Sequence, residues 1–126
     1  MLSSKQMQQF HEDGFLVLES VIGKPAIESL KASALQIVDE FDISKHRTVF
    51  TTSDRDSGRD DYFFDSAENI HCFLEEDALD RDGKLLKPER LAINKIGHAM
   101  HDLNPVFRDF CRQPFFGQVL RDVGYT

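Results

Sequence analysis

The 126 residues fit one domain, which folding would relieve of roughly 65% of its unfolded surface, enough for a modest core. A hydrophobic content of 40% with eleven Phe and no Trp is that of a globular chain, and no apolar run approaches the roughly 18 residues of a membrane span. The net charge of −7 is concentrated between Asp54 and Asp82, where eleven acids face three arginines; such a block disfavours nucleic acid, which needs clustered Lys and Arg.

The acidic stretch reads as a solvated loop over residues 42–69, ahead of the alternative of an acidic face for a protein partner. Met1-Leu2-Ser3-Ser4-Lys5-Gln6 lacks the apolar core of a signal peptide and Gly124-Tyr125-Thr126 is no retention tail, so a cytoplasmic location is expected. Cys72 and Cys111 lie far apart and outside any C-x-x-C pair, and are expected to be reduced, buried small side chains.

Ser3 with Gln6 is a capping-box pattern, and Leu2 with Met7 a hydrophobic staple, which predicts a helix over 3–13 closed by Gly14. Phe15-Leu16-Val17-Leu18 then reads as a short buried strand, because four apolar residues follow a breaker without polar alternation. Pro25 in a first turn, followed by Ile27, Leu30, Ala34, Ile37 and Phe41 at spacings of three and four, predicts a helix over 24–41. From Asp42 to Asp65, including Ser53, Ser57 and Gly58, no period is sustained, and order is expected only around Tyr62-Phe63-Phe64.

Ile70-His71-Cys72-Phe73-Leu74 predicts a strand, and Asp82-Gly83 between Leu79 and Leu85-Leu86 a hairpin turn. Leu91 to Ile96 admits two readings: Ile93, Ile96, Met100 and Leu103 fit a helical stripe, but Gly97 in the middle argues against one long helix and favours a strand ending near Ile96, then a turn. Asn104-Pro105 and Pro114 open two further helices, over 105–112 and 114–123. The fold class is α+β in a single domain spanning 1–126.

Four groups of residues carry candidate chemistry. His11-Glu12-Asp13 matches the H-x-D half of a two-His one-carboxylate iron site, but ends a helix and is read as a chance match. Asp80-x-Asp82-Gly83 with Glu89 resembles part of a calcium loop, yet Ala78 stands where the first carboxylate is needed, so a hairpin turn accounts for it. His98 and His101 would share one face of a helix with Asp102 orienting a ring nitrogen, but a metal needs a third ligand, and structural histidines are the expected reading. Lys95, flanked by Ile93 and Ile96, either snorkels its ammonium to water or holds an anion such as a carboxylate, and the residues alone leave both open.

In order, His11-Glu12-Asp13-Gly14-Phe15-Leu16-Val17-Leu18, an amphipathic helix, Ile93-Asn94-Lys95-Ile96-Gly97-His98-Ala99-Met100-His101 and Asn104-Pro105-Val106-Phe107 resemble the N-terminal part of the phytanoyl-CoA dioxygenase family. The likeness spans nearly the whole chain, and the I-N-K-I-G-H-A-M-H stretch is similar to its domain-containing members in particular. The resemblance implies a double-stranded β-helix (jelly-roll) oxygenase using Fe(II), 2-oxoglutarate and O₂ on a small-molecule or acyl substrate. It implies that Lys95 reaches the 2-oxoglutarate carboxylate, while the iron ligands of the family fall beyond the stretch matched here. The expectation is therefore the N-terminal helices and edge strands of such an oxygenase, without the core barrel, inactive as this chain and prone to self-association through exposed strands. The competing expectation is a truncated, non-catalytic α+β protein-interaction module. Neither a membrane nor a nucleic-acid partner is expected.

Overall fold

The computed structural model describes residues 1–50 and 61–125. Ser53, Asp54, Asp56, Ser57, Gly58 and the rest of 51–60, the middle of the predicted acidic loop, lie outside the described residues. The elements are α1 (Ser4–Asp13), α2 (Lys24–Glu40), α3 (Asp61–Asp65), β1 (Ile70–Leu74), α4 (Glu89–Ala92), β2 (Ile93–His98), α5 (Met100–Leu103), α6 (Pro105–Cys111) and α7 (Pro114–Asp122).

The predicted caps form. The Ser3 hydroxyl accepts from the Gln6 backbone while the Gln6 side chain accepts from the Ser3 backbone, and Gly14 closes α1 in the left-handed region at φ 78°. Asn104 accepts from the backbone N–H groups of Val106 and Phe107 at 3.0 and 3.2 Å, and the same oxygen accepts from the buried Ser33 hydroxyl at 3.1 Å. One amide thus caps α6 and pins it to α2. Arg90 holds Asp39 with two parallel hydrogen bonds, joining α4 to α2. The Leu2 backbone donates to Asp122 at 2.6 Å, tying the start of the chain to α7.

Antiparallel pairing of β1 with β2 sets Phe73 opposite Lys95, His71 opposite Gly97 and Cys72 opposite Ile96, with a bulge between Phe73 and Leu74. On the other edge of β1, Leu74 donates to Thr48 and accepts from Phe50, both at 2.9 Å, so residues 48–50 run beside the strand. The core centres on Leu74, Ala78 and Ala92, with Phe41, Ile43, Val49, Leu79, Leu85 and Ile93 packed around them. The 79–85 turn closes as predicted, through a Leu79–Leu85 bridge and a positive φ at Gly83.

Several expectations are overturned. No strand forms over Phe15–Leu18: the segment has no regular secondary structure, Phe15 and Val17 stand 60% and 68% exposed, and no described strand pairs with it. Its apolar run was real, but a strand needs a neighbour to take its backbone groups. The stripe of α2 is wider than the predicted one: Leu30, Ala34, Ile37 and Phe41 are partly buried as expected, Ser33 and Val38 are buried beside them with α6 and α4 packed on the helix, and Ile27 alone of the predicted five is exposed. The order expected at Tyr62-Phe63-Phe64 is there, as a helix of 5 residues, α3. β2 runs through Gly97 to His98 instead of stopping at Ile96, and α4 precedes it. Cys72 is buried as predicted, but Cys111 is exposed. No described helix is long and apolar enough to cross a membrane.

Candidate functional site around Lys95

Lys95 stands in the middle of β2, across the ladder from Phe73, which is fully buried. Its ammonium lies 4.4 Å from the centroid of the Phe50 ring, and Phe50 meets Phe73 edge-on at 6.3 Å. Residues 48–50 are held there by the backbone bonds to Leu74, so three segments distant in sequence build this face. A cation on an aromatic face is attracted by about 0.5–1 kcal/mol where water reaches it, and such a contact orients the group without neutralising it. Among the described residues Lys95 has no ion-pair partner.

Gly97 gives the lysine its room. A Cβ there would come within 3.3 Å of Lys95 Cε and 4.0 Å of its Cγ, so the stem lies directly alongside residue 97. The next residue, His98, follows a cis peptide and packs its ring on Phe63 and Phe73, at 5.5 and 6.1 Å between centroids. His98 Nδ1 sits 2.6 Å from Ser66 Oγ, and Ser66 is fully buried behind α3. Loss of hydration, with the Lys95 charge next in weight, holds the His98 imidazole below its ordinary pKa.

The other predicted residues are placed elsewhere. His101 belongs to α5, not to a helix shared with His98, and its Nε2 lies 3.2 Å from Asp102 Oδ2, while Asp102 Oδ1 takes Arg112 at 3.4 Å. The structure therefore separates the two histidines: one ends a strand and the other pairs locally. His11 and Asp13 are exposed on the last turn of α1. Asp80 Oδ1 accepts from the backbone of Asp82 and Lys84 at 3.0 and 2.7 Å, a turn-forming role that occupies the carboxylate of the calcium-like motif. No group of three His, Cys, Asp or Glu side chains suited to a metal occurs among the described residues.

A groove of about 540 Å³ includes Phe41, His46, Tyr62 and His71 but not Lys95. Its rings are already stacked on one another, Tyr62 lying 4.6 Å from His46 and 4.0 Å from His71. His71 Nδ1 donates to the Tyr62 carbonyl at 2.9 Å and its Nε2 faces Asp65 at 3.3 Å, so its polar atoms are occupied as well. The Lys95 face is the better candidate because it holds a charge that the described protein does not neutralise. Phe50, Ser66, Phe73 and Gly97 were not singled out from sequence. Their roles come from pairing between segments, for which no local signal exists, although the apolar run around Phe73 did mark a strand.

The pattern of the phytanoyl-CoA dioxygenase (PhyH) family matches residues 10–123. A phytanoyl-CoA dioxygenase of Arabidopsis thaliana is 39% identical over 124 residues, covering 98% of this chain and 44% of that protein. A phytanoyl-CoA dioxygenase domain-containing protein 1 homolog of Caenorhabditis elegans is 38% identical over 94% of the chain and 42% of its own length. The Bos taurus phytanoyl-CoA dioxygenase domain-containing protein 1 is 42% identical over 85% of the chain and 38% of its own length. The chain thus spans about two fifths of the curated relatives it matches. With the family pattern covering nearly every described element, from the last turns of α1 to the end of α7, the chain belongs to the phytanoyl-CoA dioxygenase family.

Proposed function

We propose that this chain is the N-terminal portion of an Fe(II)/2-oxoglutarate-dependent hydroxylase acting on a small-molecule or acyl substrate, and that Lys95 anchors a carboxylate of 2-oxoglutarate. The observation that carries the reading is the Lys95 ammonium, oriented by Phe50 and without an ion-pair partner among the described residues, on a chain matched by the family over 10–123. In this reading β1 and β2 form part of the edge of a jelly roll. When bound, Fe(II) and 2-oxoglutarate supply the oxidising chemistry, and the part of these residues is to hold the cosubstrate.

One charge-assisted hydrogen bond contributes about 1.5–3 kcal/mol, against about 8 kcal/mol for micromolar binding. Residues 1–126 alone are therefore expected to bind 2-oxoglutarate weakly and to release no succinate. Calorimetry with Fe(II) and 2-oxoglutarate beside a succinate-release assay checks this, and micromolar binding with turnover would refute it. In a longer form carrying a downstream H-x-D and a later His, Lys95→Ala is expected to raise the KM for 2-oxoglutarate with iron binding retained. An unchanged KM would remove Lys95 from the role.

A further inference from the structure

The hydrogen-bond inventory around Ser66 determines which edge of the His98 ring is free. Ser66 Oγ carries one proton, and it donates that proton to the Phe63 carbonyl at 2.5 Å, a partner that only accepts. The contact at 2.6 Å between Ser66 Oγ and His98 Nδ1 must then run the other way, with Nδ1–H donating to the hydroxyl oxygen. The neutral imidazole is thereby held as the Nδ1–H tautomer. Its Nε2, on the ring edge facing away from the buried Ser66, carries a bare lone pair, and the residue keeps an exposed side.

The His98 ring packs on Phe73, the cross-strand partner of Lys95, and so lies on the Lys95 side of the strand pair. Lys95 Cε lies beside residue 97, one position from His98, and both side chains rest on the aromatic floor that Phe73 joins to Phe50 and Phe63. Among the described residues, Lys95, from the same strand, and His71, from β1, are the charged or titratable groups that act on His98. Asp65 of α3 pairs with His71, and on the following α5 His101 and Asp102 pair with each other. No carboxylate among the described residues pairs with His98. Among the described residues, a second positive charge beside Lys95 therefore has no carboxylate paired with it.

We propose that His98 is a second, proton-dependent anchor for a dicarboxylate at Lys95, taking up a proton at Nε2 and donating the new N–H to the bound ligand. The proposal rests on the reading of Lys95 as the carboxylate anchor and adds to it a ligand preference and a pH dependence. The proton comes from solvent, the Nδ1–H stays on Ser66, and no bond other than N–H and its hydrogen bond forms. The depressed basicity of the free imidazole fits this, because a ring held less basic before binding has the more to gain in proton affinity from the arrival of a dianion. Linkage then requires that affinity rise as pH falls, by up to about tenfold per pH unit between the free and bound pKa of His98. Above the ordinary carboxylate range the ligand keeps both charges, so the proton taken up belongs to the protein.

The test is an NMR titration of residues 1–126, with labelled histidine, by 2-oxoglutarate up to about 100 mM, the range that one or two charge-assisted bonds reach. Chloride holds the ionic strength constant and acetate serves as the monocarboxylate control. Affinity is measured between about pH 5.5 and 7.5, spanning the ordinary His pKa. Three proteins are compared: wild type, His98→Asn, which keeps a donor toward Ser66 but has no Nε2, and Lys95→Met, which keeps the stem without the charge. The proposal expects the His98 titration to move upward on 2-oxoglutarate but not on acetate, with the pH dependence of affinity lost in His98→Asn. Should His98→Asn not fold, the ligand-induced movement of the wild-type titration decides alone. Affinity that does not change with pH in wild type, or that changes equally in His98→Asn, overturns the proposal while leaving Lys95 as the anchor. Binding that is absent, or unchanged in Lys95→Met, removes the anchor reading and this proposal with it.

Discussion

Replacing Asn104 by Ala tests the joint between α2 and α6, which carries the end of the Lys95 segment. The Asn104 side-chain oxygen accepts from three donors: the backbone of Val106 and of Phe107, which it caps, and the Ser33 hydroxyl. Loss of an Asn cap costs about 1 kcal/mol. Ser33 is only 9% exposed and has no other hydrogen-bond partner for its side chain among the described contacts, so the stranded hydroxyl adds about 1–2 kcal/mol. Asn104→Ala should therefore destabilise by about 2–3 kcal/mol, whereas Asn104→Asp, which keeps the acceptor at a helix N-terminus, should stay within about 0.5 kcal/mol. Ser33→Ala should cost about 1 kcal/mol, because the cap survives. The double variant should be less damaged than the two losses added, by about 1 kcal/mol, since it contains no stranded hydroxyl. Urea unfolding at constant m-value gives all four numbers. Additive losses, or an Asn104→Ala variant within about 0.5 kcal/mol of wild type, would show that the shared oxygen does not couple the two helices.

Phe73→Ala should cost about 3–5 kcal/mol, since the ring is fully buried and meets Phe50, Tyr62, Phe63 and His98; urea unfolding reads this directly, and a loss under about 1.5 kcal/mol would deny it a central packing role. Burial pushes the Cys72 thiol up to about 11, so at pH 8 a thiol-specific reagent should modify exposed Cys111 and spare Cys72 until denaturant is added; rapid modification of both in the folded chain would contradict the packing. Lys45, then Ser44, hold the Asp42 carboxyl at about 2, below its unfolded value. Its contribution is thus present above the unfolded pKa and is lost as pH falls through the folded one, so Asp42→Asn should flatten the acid limb of stability between about pH 4 and 2, and an unchanged limb would refute the pairing.

What could be read from the chain divides by the range of the interaction responsible. The Ser3–Gln6 box, Gly14, the Asn104-Pro105 start and the Asp82-Gly83 turn are determined within a few residues, and each forms where the pattern puts it. Phe15–Leu18, and Ile27 at the start of α2, follow the same local logic and fail, because burial depends on what another segment brings to that side. Gly97 shows the difference at the site itself. Read locally it is a breaker that ends the strand, whereas in the fold it sits within β2 opposite His71 and makes room for the Lys95 stem. Lys95 stood out because a charge among apolar neighbours is visible in one dimension. The ring beneath it comes from residue 50, and the histidine beside it is oriented by a serine thirty-two positions earlier. A carboxylate site of this kind asks of its lysine only a charge and a direction. The charge belongs to the residue, but the direction belongs to Phe50, Phe73 and Gly97, so substitutions at those three positions should change ligand affinity without altering any group that touches the ligand.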